Sequence, residues 1–118
     1  MRIQEFVWQE EYYDCVLGVW CLCYLNSKDK SRIVSKMESA LQYGGHMILI
    51  EPVLGKNENV LERYHVNTKQ QMVIRTEATY RNLFKEFQMH VLHSERYDKI
   101  GCCNEELMAF VIKKELFI

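Results

Sequence analysis

Chemistry near neutral pH calls for histidines, thiols, carboxylates or a loop that cradles phosphate. This chain offers few of these in a usable pattern. Its four histidines are His46, His65, His90 and His93. The last two lie three apart in Met89-His-Val-Leu-His-Ser-Glu-Arg-Tyr97, whose loose alternation predicts a strand. On a regular strand they face opposite sides and share no metal ion without a bulge. The five cysteines are Cys15, Cys21, Cys23, Cys102 and Cys103, with no Cys-x-x-Cys spacing among them. An odd number does not make a disulfide framework, so they are expected as mostly buried thiols. That usage points to an intracellular, reducing compartment such as the cytoplasm or nucleus. No metal is expected. No Ser-His-Asp order, P-loop or Gly-rich dinucleotide loop occurs. Trp8, Tyr12, Tyr13 and Trp20 suggest stacking on bases. However, 15 Lys and Arg against 16 Asp and Glu give a net charge of -1, so no basic field holds nucleic acid. These aromatics are expected in the core.

The elements that must position these residues follow from hydrophobic pattern. At 118 residues, 48% hydrophobic and 26% charged, with one Pro, the chain is expected to form one globular domain without repeats. Its start carries an early acid and no long apolar run, unlike a signal or transit peptide. The longest uncharged stretch, Cys15 to Ser27, is too short for a bilayer span of about 20 residues. Tyr13 to Trp20 is nearly all apolar and reads as a strand covered on both faces. Asn26 or Ser27 supplies an N-cap for a helix near 28–42, with Ile33, Val34, Met37, Ala40 and Leu41 as its apolar stripe. Lys28, Lys30, Arg32 and Lys36 read as its solvated face. Gly44-Gly45 should stop that helix, and His46 to Ile50 should form a second buried strand ended by Pro52. Residues 52–70 read as a long polar excursion. Thr76 caps a helix near 76–87 with the stripe Tyr80, Leu83, Phe84 and Phe87. Strands near 89–97 and 106–113 complete an α/β domain, and the first βα unit should cross over right-handed.

That order of elements resembles the second half of a class I S-adenosylmethionine-dependent methyltransferase, a partial Rossmann-like sheet of the fold's strands four to seven with flanking helices. In that fold the last strand inserts antiparallel between its neighbours. Within the superfamily the chain is most similar to the alpha-N-terminal protein methyltransferases, which methylate the free α-amine of proteins starting Xaa-Pro-Lys. Ile3-Gln4-Glu5-Phe6 resembles the family's Leu-Gln-Asp-Phe, which lies against the cofactor adenine, so Ile3 and Gln4 are the implied cofactor-binding remnant. Tyr13-Asp14 through Trp20 resembles its Tyr-Asp-Val-Ile-Trp-Ile-Gln-Trp strand, whose last Trp lines the peptide channel. Val73-Ile-Arg75, Tyr80-Arg-Asn-Leu-Phe84 and Met89 to Tyr97 resemble the regions that follow. The resemblance makes Trp20, Tyr24, Asn67 and Gln70 a substrate-channel remnant.

The departures matter as much. The Gly-rich loop and the ribose-binding acid should precede Met1 in this alignment, leaving a single truncated domain over residues 1–118. Two family acids fall at Asn67 and Gln70, and an amide cannot take a proton from an α-amine. The family Asn falls at Val53, its Gln at Val19 and its His at Tyr24. Glu51 and Glu58 are spare acids. The expectation is therefore a structural or partner subunit that binds no cofactor alone. One alternative is the C-terminal part of an enzyme completed by another chain carrying S-adenosylmethionine; another is a peptide-binding module. In each case Cys15 to Trp20 would be a bare edge strand, expected to be covered by a protein partner, a second copy or the segment Ile3 to Trp8.

Overall fold

The computed structural model describes residues 6–67, 70–98 and 105–115. Strand β1 (Tyr13–Val19) leads through a short 3-10 turn, Leu22–Tyr24, into helix α1 (Ser27–Ala40). Strands β2 (Leu41–Val53), β3 (Glu62–Asn67) and β4 (Gln70–Arg75) follow, then helix α2 (Glu77–Glu86) and strands β5 (Met89–Tyr97) and β6 (Glu106–Lys114). All form one mixed sheet in the order β3-β4-β2-β6-β5. β6 runs antiparallel between β2 and β5, as the methyltransferase resemblance implies. The other side of β2 is shared: β1 pairs with it in parallel up to Val19↔Ile50, and β4 meets it at Val53↔Arg75. The second side of β1 pairs with no described strand.

Local chemistry starts both helices. The Asn26 side chain accepts the Asp29 N–H at 2.8 Å, and Thr76 Oγ1 accepts that of Thr79 at 3.1 Å. A distant residue ends α1: Lys114 on β6 donates to the carbonyls of Glu38 and Leu41, each at 2.9 Å. A cation there also opposes the negative end of the helix dipole. Gly44 and Gly45 therefore do not cap the helix. They lie where the β1–β2 register jumps, between Tyr13↔Leu41 and Cys15↔His46, and Gly44 takes φ +83° in that bulge. Nor does Pro52 end β2, since it pairs with Leu107 of β6.

Both helices pack on one face of the sheet. Ile33, Val34 and Met37 of α1 and Tyr80, Leu83 and Phe84 of α2 share a cluster with Met47, Leu49, Phe110 and Ile112. Trp8 and Tyr13 pack against its margin, whereas Tyr12 is exposed. The expectation of strands covered on both faces fails for the opposite side. Alternation turns Cys15, Leu17 and Val19 of β1 outward, leaving Leu17 63% and Val19 53% exposed. Ile48 and Ile50 beside them are only half-buried. Cys15 is thus an exposed thiol, not a core one, while Cys23 is buried; Cys102 and Cys103 lie outside the described residues.

Three further expectations are corrected. The polar stretch 52–70 contains strand β3, which pairs with β4 from Glu62↔Arg75 to Asn67↔Gln70. Lys30 is buried rather than solvated, and burial lowers its pKa. The register of β5 slips between Val91 and His93, so His90 opposite Lys113 and His93 opposite Val111 share the outer face. Even so, no cluster of three metal-ligating side chains occurs among the described residues. No described helix is long and apolar enough to cross a membrane.

Phe110 is fully buried and meets the Phe84 ring edge-on at 5.2 Å. Replacing it by Ala should cost about 3–5 kcal/mol in urea unfolding, through lost burial and a residual cavity.

Candidate functional site

In an open α/β sheet, ligands meet the carboxyl ends of the parallel strands. Here that edge is the end of β1, the end of β2 and the turn Trp20–Leu25. The turn is clamped from two sides by buried charge. Glu51, wholly buried on β2, accepts the backbone N–H of Cys21 at 3.1 Å and Leu22 at 3.3 Å through Oε2, and that of Cys23 at 3.0 Å through Oε1. Arg75, 1% exposed on β4, donates to the carbonyl oxygens of Leu22 (2.9 Å) and Leu25. A carboxylate near the N–H end of the turn and a guanidinium near its carbonyl end both complement the backbone dipoles.

Burial dominates the titration of this cluster. It pushes Glu51 up to about 7, against the pull of its three N–H donors. It pushes the Cys21 thiol up to about 12 and raises Cys23 further, with the Glu51 charge adding to both. These thiols are therefore protonated and unreactive near neutrality. Tyr80, on α2 behind the clamp, is raised by burial and then by Glu51, and its hydroxyl finds no hydrogen-bond partner.

Trp20 sits at the end of β1 with φ +53°, a left-handed conformation uncommon for a bulky residue. Its N–H donates to the Ile50 carbonyl at 2.8 Å. Its side chain packs on the small cluster of Cys23, Leu54, Met72 and Ile74. Tyr24 lies elsewhere, in an open cleft of about 620 Å³ between the start of α1 and the other face of the β3–β4 hairpin. Glu62, Tyr64, Gln71 and Arg75 border that cleft. Asn67 and Gln70 are register partners at the end of the hairpin; their side chains lie outside the described residues, as do Ile3 and Gln4 entirely. The structure thus separates Trp20 from Tyr24 by the thickness of the hairpin.

Neither spare acid is free to act on a substrate. Glu51 is spent on the turn. Glu58 accepts the Gly55 N–H at 2.7 Å and binds Arg63 at 2.9 Å, while Arg63 also grips Glu105 at 2.7 Å. Sequence reasoning missed Arg75 and Glu51 as a pair. The signal for Glu51 was an acid ending an apolar strand, where burial demands a partner.

A family model described as AdoMet dependent proline di-methyltransferase matches residues 1–110. The chain belongs to that family. No curated protein matches by sequence. Among solved structures, a SAM-dependent methyltransferase from Leishmania major is 18% identical, with a TM-score of 0.73 over 94% of this chain and 42% of its own. The 1,6-didemethyltoxoflavin-N1-methyltransferase of Burkholderia thailandensis, solved with S-adenosylhomocysteine, is 14% identical at TM-score 0.76, with 97% and 48% covered. A Methanosarcina mazei SAM-dependent methyltransferase is 12% identical at TM-score 0.81, with 99% and 66% covered. These likenesses show a class I methyltransferase fold. The chain spans between two fifths and two thirds of those proteins' lengths.

Three consecutive N–H groups after a strand could cradle an anion, but here Glu51 occupies all three. The only adjacent glycines, Gly44 and Gly45, sit in the β2 bulge at the opposite end of the sheet.

Replacing Glu51 by Ala strands three buried donors, each worth about 1–3 kcal/mol, and should destabilise the chain by roughly 3–5 kcal/mol in urea unfolding. Tyr80→Phe removes an unsatisfied hydroxyl and should change stability by less than about 1 kcal/mol.

Proposed function

We propose that this methyltransferase-family chain transfers no methyl group by itself and serves as a structural or partner subunit. It docks on another protein through the bare edge of β1 and the sheet face beside it. One observation carries the reading: β1 pairs with no described strand on one side, and Leu17 and Val19 project from it with their side chains exposed. Lys and Pro, the usual devices that blunt an edge, are absent from Tyr13–Val19. Each large apolar side chain left in water forgoes about 1.5–3 kcal/mol of burial, against a total stability of about 5–15 kcal/mol for a domain. A protein partner, or a second copy, that adds a strand there restores both hydrogen bonds and burial.

A second reading is favoured by the strand-end turn, which keeps Trp20 in a left-handed conformation next to the buried Glu51–Arg75 clamp. On that reading the chain is the C-terminal, substrate-side part of an AdoMet-dependent protein α-amine methyltransferase. Another chain or segment then supplies the Gly-rich cofactor loop, and Trp20, Tyr24, Asn67 and Gln70 border the substrate. The partner's sequence separates the two readings, because only the second requires that loop.

Sedimentation of the purified chain should show a dimer or larger species, or a monomer that joins its partner on mixing. Val19→Lys, which places a charge on the exposed face, should abolish that association and leave the fold intact by circular dichroism. Val16 is unsuitable for this test because it points into the core. A wild-type chain that stays monomeric with any partner, with the β1 amides that face away from β2 exchanging freely, contradicts the proposal. Calorimetric titration with AdoMet should show no micromolar binding to the chain alone; micromolar affinity would contradict that expectation and favour an enzyme.

A further inference from the structure

We propose that Glu51 is the positioning residue of the Trp20–Leu25 turn and that its proton controls the turn, the neutral acid holding Trp20 and Tyr24 more firmly than the carboxylate does. The inference rests on the turn alone, so it stands or falls separately from methyl transfer.

The geometry sets two opposing costs. The carboxyl group is wholly buried and its oxygens accept three backbone N–H groups, with the Cys21 thiol 3.7 Å from Oε2. Among the described residues it forms no ion pair. Arg75, the charged side chain of the same cluster, directs its terminal nitrogens at the Leu22 and Leu25 carbonyls and forms no ion pair with Glu51. Placing a proton on either oxygen displaces at least one N–H donor, which costs about one neutral hydrogen bond. Placing a negative charge there costs the desolvation of a buried ion held only by neutral donors, which is larger. The charged form therefore gains more than the neutral form when the turn opens and water reaches it.

The sign follows by linkage. In the closed turn, burial raises Glu51 from 4.5 to about 7. An opened, hydrated turn restores a carboxyl near its ordinary value. Between those two values the closed turn binds more protons than the open one. Closure is thus strongest at acid pH, weakens as pH rises and levels off above about 7. The thiols and the phenol that face the site are pushed upward, away from that window. Cys21 and Cys23 on the turn and Tyr80 on α2 are all raised by burial. Arg75 comes from β4, Met108 faces Glu51 from β6, and Lys30 on α1 responds to Arg75, Glu62 and Glu86. Glu51 is therefore the switch in this cluster.

Opening has a direct consequence for the strand-end site. The N–H groups of Cys21, Leu22 and Cys23 follow Trp20 immediately and precede Tyr24, so their release frees both side chains. It also exposes three adjacent donors that the closed turn keeps occupied.

Amide exchange of Cys21, Leu22 and Cys23, measured by NMR on the full chain and corrected for intrinsic base catalysis, reads the latch. Protection should fall by roughly one to two orders of magnitude between about pH 5 and pH 8. In Glu51→Gln, which is neutral at every pH, protection should be independent of pH in this range and stay near the level of the unaltered chain at acid pH. Should that variant fail to fold, the carboxyl carbon of Glu51 in the unaltered chain gives a second reading. It should titrate near pH 7, in step with the loss of protection. Flat protection in the unaltered chain, an equal fall in Glu51→Gln, or a Glu51 carboxyl titrating near 4.5 would overturn the proposal.

Discussion

Three consecutive N–H groups at the end of a strand form an anion-binding concavity, and in this protein a side chain of its own fills it. Glu51 reaches from β2 into the turn after β1, and Arg75 reaches from β4 to the carbonyls of the same turn. Three strands are tied together at their carboxyl ends by this exchange of side-chain charge for backbone dipole. The turn in turn sets where Asn26 caps α1, and so how α1 lies across β1 and β2. Removing either side chain would leave buried backbone groups of the same turn unpaired, which is why the two are expected to act as one unit.

The core that follows is one-sided. Both helices cover the same face, and the other face of β1 and β2 ends in side chains that are apolar yet wet. In a protein built to be a free monomer, that face would carry polar residues at alternate positions. Leu17, Val19, Ile48 and Ile50 instead keep the pattern of strands buried on both sides. The site and the bare face thus meet at β1, whose end carries Trp20 and whose edge invites a partner.

Much of this was legible where structure follows local rules. Asn26 and Thr76 announced both helix starts because a cap acts within three residues. The stripes at Ile33, Val34 and Met37 and at Tyr80, Leu83 and Phe84 announced the packed faces. Whatever depended on distant partners was not legible. Helix α1 ends where Lys114 takes its carbonyls, 76 residues from Glu38. Strand β3 is polar along its length and is defined by pairing with β4 rather than by its own pattern. Lys30 looked solvated because nothing local reveals its burial or the charges of Arg75, Glu62 and Glu86 that act on it. The slip that brings His90 and His93 to one face leaves no mark in their spacing. Tyr24 and Trp20 are four apart in sequence, yet a single left-handed residue sends them to different faces of the hairpin.

The central claim is that Glu51 and Arg75 work as one clamp although no ion pair joins them. A double-mutant cycle tests it most directly, with Glu51→Ala, Arg75→Met and the pair compared by urea unfolding at a fixed pH. The account predicts that the double variant loses less than the sum of the singles by more than about 0.5 kcal/mol, because once the turn is released from one side the other grip holds nothing in place. Additive losses within that margin would show two independent anchors and contradict the clamp.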